Sequence, residues 1–462
     1  MSNILLVEPS YRSKFPPLGL MRLSAYHKKK GDCVSFVRGC DPRAQSLRWH
    51  RIYVSSLFTW TLNTTVKTID YYSKAVSAPS DIFVGGVGAT LYPEYIRERV
   101  SCSVIEGHLS KRGMLGPRTP ALINLTPDYS LLAGASYDYQ PKDTYFTRVS
   151  RGCIRACKFC AVPLLEKEFG YLRSLRQQVR EVDRRYGTMQ NLLILDNNIL
   201  ALENIEKVFS EIESVGFAAN AKRNGRQRSV DFNQGIDARL IAARPSLADG
   251  LSRLCLHPVR LAFDFMRMRK PYIRAVEILA ERGFFKFTNY MLFNFNDSPK
   301  DLFDRLMVNA ALNQRLGIRI TGFPMRFVPM KQVKRDHVSD KWHWRYLRGI
   351  QCVLLATRGL VGTDPDFVKA AFGATHEEFL EILAMPDRYI IFREQHRNKE
   401  AREWGRLYRR LSEASRHEFL ELLADLRFPQ KRKEKIAKNR RFRRLIDHYY
   451  PDGIAPRAER TQ

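Results

Sequence analysis

No stretch of this 462-residue chain approaches the ~20 consecutive apolar residues that a membrane-spanning helix needs. The sequence therefore reads as a soluble protein without a membrane partner. Cysteine is scarce: eight residues in the whole chain are too few for a disulfide scaffold. A reducing cytoplasm is the expected compartment. The N-terminus, Met1-Ser-Asn-Ile-Leu-Leu-Val7, lacks a basic leader and a long apolar core, and reads as a strand rather than a signal peptide. Acidic residues are in deficit, 48 against 77 Lys and Arg, for a net charge of +29. Such an excess repels itself unless an anionic partner neutralises it, and nucleic acid is the usual one. Low-complexity tracts and repeats longer than a βα unit are missing too. The length suggests two or three domains at about 150 residues each.

Three of the eight cysteines stand close together, in Arg151-Gly-Cys-Ile-Arg-Ala-Cys-Lys-Phe-Cys-Ala-Val-Pro163. Cys153, Cys157 and Cys160 form a CxxxCxxC triplet. Thiolates are the ligands that iron–sulfur centres take. Three are one short of closing a four-iron cluster, which leaves one iron open to a substrate or cofactor, as catalytic metal sites require. Three such cysteines can also be small buried hydrophobes or part of a zinc site. Zinc would want a fourth Cys or His nearby, and the next histidine downstream is His257. The segment resembles the cluster loop of the radical S-adenosylmethionine (SAM) superfamily, including the aromatic residue before the third cysteine, here Phe159. The resemblance implies a four-iron four-sulfur (4Fe–4S) cluster with Cys153, Cys157 and Cys160 as metal ligands and SAM on the fourth iron. It implies reductive cleavage of SAM to methionine and a deoxyadenosyl radical that abstracts hydrogen from substrate. An electron donor such as flavodoxin or ferredoxin follows from it.

Residues 1–140 read as an α/β module with a doubly wound parallel sheet. Its strands are Ile4–Val7, Val34–Val37, Ile52–Ser55 and Ile82–Gly88, with helices over 18–30 and 62–75. The order, the Pro16-Pro-Leu-Gly-Leu20 segment and the Gly85-Gly-Val-Gly88 turn resemble the N-terminal domain of cobalamin-binding radical SAM enzymes. That family's D-x-H-x-x-G cobalamin loop is replaced here by Glu8-Pro-Ser-Tyr-Arg-Ser-Lys14, with no histidine before His27. A cobalamin-like fold is expected, and cobalamin itself is not. The glycine turn reads either as a phosphate cradle or as a tight strand end. Methylthiotransferases of similar architecture carry a second cluster on three N-terminal cysteines. Cys33, Cys40 and Cys102 match that count, but Cys33 falls at a strand start, a poor ligand position.

Residues 141–332 carry a repeated βα pattern of about six units, which implies the partial (β/α)6 barrel of the radical SAM fold. In βα barrels chemistry sits at the C-terminal ends of strands. By resemblance, SAM contacts are expected from Asp196 on the methionine amino group and from the cluster Asn233, Gln234, Asp237 and Arg239, with Arg239 clamping the SAM carboxylate. Asp264 is expected on ribose hydroxyls, and the stretch around Asn296 on adenine or ribose. Each could instead be a strand-end cap or a rim salt bridge.

Residues 333–462 read as a basic helical C-terminal domain, with helices over 375–384 and 406–426. Ten Lys or Arg and one Glu lie between Leu426 and Leu445. Lys431, Arg432, Lys433, Arg440, Arg441, Arg443 and Arg444, interleaved with Phe442, Tyr449 and Tyr450, read as a phosphate-tracking element rather than a solvated face. The expected function is a radical SAM enzyme modifying a nucleic acid, RNA before DNA. Alternatives are a radical SAM enzyme on a small metabolite or peptide, and a non-catalytic iron–sulfur protein that binds nucleic acid.

Overall fold

The computed structural model describes residues 1–135, 137–393 and 399–450, without the side chains of Lys431 and Lys433. The chain forms two compact units. One comprises residues 1–240, 246–259 and 328–336; the other comprises 241–245, 260–327 and 337–462. This division runs through the middle of the expected catalytic domain. The class is mixed α/β, with parallel sheets and a helical C-terminal region. No helix among the described residues is long and apolar enough to cross a membrane.

In the first unit, β1 (Asn3–Glu8), β2 (Cys33–Arg38), β3 (Arg51–Ser55), β4 (Ile82–Gly85) and β5 (Ser103–Ile105) form one sheet in the order β2-β1-β3-β4-β5. All its pairs are parallel. The order is that of a doubly wound sheet, whose crevice lies where the strand order reverses, between β1 and β3. Side chains alternate along β1. Leu5 and Val7 join one core with Leu62, Ile69 and Tyr72 of the helix Leu62–Tyr72. Ile4 and Leu6 join the opposite core with Leu20, Met21 and Leu23 of the helix Leu18–Lys29. Burial on both faces explains why the strand is apolar throughout. The glycine turn after β4 is a tight strand end: Gly86 has φ +109, and a Cβ there would lie 2.5 Å from the Ser56 carbonyl oxygen. Gly88 N–H donates to that same carbonyl.

The six strands expected after residue 140 all form. In the first unit, β6 (Thr144–Thr147) and β12 (Ser229–Phe232) flank β9 (Asn191–Ile194) in parallel. Between them in sequence come two short two-stranded ladders, β7 (Ser150–Arg151) with β8 (Gly170–Tyr171), and β10 (Lys222–Arg223) with β11 (Arg226–Gln227). β13 (Val259–Ala262), β14 (Lys286–Phe293) and β15 (Arg319–Arg326), all in the second unit from Arg260 on, form another three-stranded sheet. The six strands thus fall in two sheets of three.

The C-terminal helices share a core with the second sheet's layer. Met291, Phe293, Leu302 and Leu306 pack with Trp342, Ile350, Phe379, Trp404 and Phe419. The helix expected over 406–426 is two helices, Lys399–Arg409 and Glu413–Leu426. Ser412 breaks it: its hydroxyl accepts the Ser415 N–H at 3.2 Å and starts the second helix.

Candidate active site

The antiparallel β7–β8 ladder closes the cysteine loop at its base. Gly152 opens the loop at φ +68, and a Cβ on it would sit 2.2 Å from the Glu168 carbonyl oxygen. Both the hand of the backbone and the lack of room demand glycine. Glu166 then reaches back under the loop. Its carboxylate accepts from Gly152 N–H at 2.7 Å and from Asn197 Nδ2 at 3.1 Å. It also pairs with Arg148 and, at 2.9 Å, with His108 Nε2. Burial works against its charge, but hydrogen bonds from His108 and Arg148 outweigh it and hold the carboxyl down at about 2.

Asp196, just beyond β9, is buried. It accepts from Val149 N–H at 2.9 Å, from Ser150 N–H, and from the Ser150 hydroxyl at 2.5 Å. Burial pushes its carboxyl up to about 6 despite these donors. The family resemblance implies Asp196 at the SAM amino group. Its partners here are the backbone that leads into the cysteines, so its visible work is to position the loop.

Cys153, Cys157 and Cys160 are half-buried and form no disulfide. The Cys153 sulfur receives Arg155 N–H at 3.3 Å and Asn198 Nδ2 at 3.4 Å. Cys160 N–H donates to the Cys157 carbonyl at 3.0 Å, a turn that joins the second and third thiols. Asn198 is buried, and its Oδ1 has no hydrogen-bond partner. Asn198 is not among the residues that the sequence pointed to. The only signal was its position, two residues after Asp196 at the end of a buried strand.

Asp237 lies beside the same loop. It accepts Arg155 Nε at 2.8 Å and Arg239 Nε at 2.7 Å. Burial opposes its charge, and the two guanidiniums overcome that opposition and lower its pKa. Burial works against the charge of Arg239, and Asp237 outweighs it and raises the guanidinium pKa. Asn233 and Gln234 begin the turn after β12, where Asn233 N–H donates to Ile194 and Gly235 reverses the chain at φ +89. The structure therefore gathers the three cysteines, Asn198, Asp237 and Arg239, with Asn233 and Gln234 at the adjoining strand end.

Asp264 and Asn296 belong to the second unit. Asp264 accepts Leu292 N–H at 3.1 Å, and Asn296 is exposed, its carbonyl accepting Lys341 Nζ at 3.0 Å. Near them lies a feature that the sequence did not announce. Arg305, fully buried, pairs with buried Asp297 at 2.6 Å and donates to the carbonyls of Phe263, Asp264 and Leu292.

The N-terminal cysteines do not converge on a second cluster. Cys33 is the first residue of β2 and Cys40 lies two beyond its last. The ends of a six-residue strand are roughly 16 Å apart.

The basic tail differs from its expected form. Arg432 is buried, donates to the Leu426 carbonyl and lies over the Tyr450 ring. Phe442 and Tyr450 are buried in the helical core, so they offer no stacking surface to bases. Arg441 pairs with Glu418, Arg443 with Asp447 and Arg444 with Glu403, all on the surface. Arg440 is exposed, and the side chains of Lys431 and Lys433 lie outside the described residues.

No protein-family profile matches this chain, and no curated protein matches it. Among solved structures it is similar to the apo, selenomethionine-labelled cobalamin-dependent S-adenosylmethionine radical enzyme OxsB. That match has 11% identity over 98% of this chain and 77% of the other, with a TM-score of 0.47. It is also similar to Streptococcus suis SuiB bound to S-adenosylmethionine, at 12% identity over 46% of this chain and 47% of SuiB, with a TM-score of 0.31. For SuiB bound to the precursor peptide SuiA the values are 11%, 52%, 54% and 0.32. The match thus spans about half of SuiB. Likenesses this distant carry no functional conclusion, which must come from the chain's own residues. The expectation against cobalamin gains nothing from them. A missing D-x-H-x-x-G loop bears only on a histidine ligand.

Proposed function

We propose that this chain is a radical SAM enzyme that holds one 4Fe–4S cluster on Cys153, Cys157 and Cys160 and takes SAM at the iron they leave open. The observation that carries this reading is the loop itself. Three half-buried cysteines outside any disulfide lie on one ladder-closed loop, with Arg155 N–H and Asn198 Nδ2 both aimed at the Cys153 sulfur. Hydrogen bonds to cluster sulfurs set stability and potential. When bound, the cluster supplies the electron that splits SAM into methionine and a deoxyadenosyl radical, with a flavodoxin or ferredoxin as the upstream donor. The chain's residues supply position. Glu166 and Asp196 fix the start of the loop. Asp237 holds Arg155 and Arg239 beside the thiols, where Arg239 is suited to receive the SAM carboxylate. Asn233 and Gln234 are assigned to the rest of SAM. Asp264 and Asn296 keep their assignment to ribose and adenine on the family resemblance alone.

The proposed substrate is a nucleic acid, RNA before DNA, on the strength of the +29 charge. A second reading, a small metabolite or peptide, is favoured by the tail, whose aromatic residues are buried and whose arginines are largely ion-paired. Calorimetry of the anaerobically reconstituted protein separates these readings. Heat of SAM binding is expected. Its absence would leave the non-catalytic iron–sulfur reading. Binding of bulk tRNA with a steep salt dependence supports the nucleic-acid substrate, and no binding at low salt supports the small one.

A further inference from the structure

We propose that His343, His417 and Glu421 form a mononuclear transition-metal site, of zinc class, between two C-terminal helices. His343 is the residue before the helix Trp344–Ala356, held in extended backbone at its start. His417 and Glu421 stand one turn apart on the helix Glu413–Leu426, at the i,i+4 spacing that puts two side chains on one face. One ligand atom from each of the three lies within 4.8 Å of the others. His343 Nδ1 is 2.9 Å from Glu421 Oε1. The two imidazole rings meet at 4.8 Å between centroids, edge to face at 80°.

A tetrahedral zinc with bonds of about 2.1 Å wants its ligand atoms about 3.4 Å apart. The widest separation, up to 4.8 Å, must therefore close by about an ångström and the 2.9 Å His343–Glu421 pair must open slightly, which the exposed His417 and Glu421 side chains can supply by small rotamer adjustments. Two imidazoles and one carboxylate form a donor set for zinc, cobalt or nickel rather than magnesium or calcium. Three protein ligands leave a fourth position for water. His343 is further fixed by an edge-to-face contact with Tyr346 at 5.5 Å. A simple His343–Glu421 hydrogen bond accounts for two of the three residues and gives no reason for the second imidazole to face the first. Bound metal would tie the start of one helix to the middle of the other.

This proposal is independent of the radical SAM reading. The test uses the full chain with Cys153, Cys157 and Cys160 replaced by alanine, which removes competing thiolates, beside the unaltered chain. Cobalt(II) is titrated into both. The expected result is one cobalt per chain in the triple-alanine protein, with the intense visible bands of tetrahedral coordination and no sulfur charge-transfer band. Zinc should displace it and raise the melting temperature. His417→Ala and Glu421→Gln should each weaken binding at least tenfold. Both changes are on exposed positions of a helix, and an unaltered circular dichroism spectrum confirms folding; His417→Gln serves if His417→Ala does not fold. Cobalt that binds as tightly to these variants, or not at all to the triple-alanine chain, overturns the site.

Discussion

Asn198 donates a hydrogen bond from Nδ2 to the sulfur of Cys153 at 3.4 Å, while its own Oδ1 stays buried without a partner. A buried polar atom without a partner costs free energy, and this one lies beside Cys153, a proposed cluster ligand. Removing a residue that hydrogen-bonds a metal ligand typically costs 10–100-fold in metal affinity or activity. Asn198→Ala is expected to lower iron retention and SAM cleavage by a factor in that range. Iron and deoxyadenosine measured per chain check this, and wild-type values for both would remove Asn198 from the site.

Gly152→Ala should empty the loop. A left-handed backbone costs a non-glycine residue about 1–2 kcal/mol. The added Cβ would also meet the Glu168 carbonyl at 2.2 Å, so the β7–β8 closure must open. Iron incorporation should fall while far-UV circular dichroism is retained. A fully loaded Gly152→Ala protein would show that loop closure does not organise the ligands.

Two buried carboxylates should give stability opposite pH dependences. Burial at the end of β1 pushes Glu8 up to about 7, against the pull of Tyr139 and Arg38. Its contribution is complete below about pH 4.5 and is lost as pH rises through 7. Glu166, held down at about 2, contributes above about pH 4.5 and loses that contribution as pH falls toward 2. Glu8→Gln should therefore flatten the decline in urea-unfolding stability between about pH 5 and 7, an effect of up to about 3 kcal/mol. An unchanged slope would mean that Glu8 titrates normally.

Much of this arrangement was legible in the sequence. Ile4-Leu-Leu-Val7 reads as a strand because four apolar residues in a row suit a sheet covered on both faces. Cys153, Cys157 and Cys160 are local in sequence, so their spacing survives folding. Asp196 was found as a strand-end carboxylate, but its partners were not legible, because Val149 and Ser150 reach it only once β6 and β9 pair. The tail misled for a related reason. Phe442 and Tyr450 sit in or beside a run of ten basic residues, yet the helical core buries both. Only tertiary packing shows which residues of a basic helix face inward.

Arg305 and Asp297 form a buried pair whose separation should be costly. Arg305→Leu leaves the Asp297 carboxylate and the carbonyls of Phe263, Asp264 and Leu292 without their donor. A loss of about 3–5 kcal/mol is expected. Arg305→Leu with Asp297→Leu should recover part of it. Denaturant unfolding of the three proteins checks the order, and an Arg305→Leu protein within about 1 kcal/mol of wild type, the size of a surface effect, would contradict it.

The tail offers a test of the substrate. Reversing Arg440, Arg441, Arg443 and Arg444 to Glu costs little fold stability, because exposed ion pairs are worth about 0–1 kcal/mol each. Where these arginines touch phosphates, the salt slope of RNA binding should become shallower by roughly one unit for each phosphate no longer neutralised. An unchanged slope and affinity would shift the substrate toward the small metabolite or peptide.

The central claim is that the three-cysteine loop cleaves SAM. Its most direct test is anaerobic reconstitution with iron and sulfide, followed by dithionite and SAM, with deoxyadenosine measured by chromatography for wild type and Cys157→Ala. The account predicts deoxyadenosine from the wild type and none above background from Cys157→Ala. Equal cleavage by both, or a wild-type protein that binds a four-iron cluster and SAM yet releases no deoxyadenosine, would contradict it.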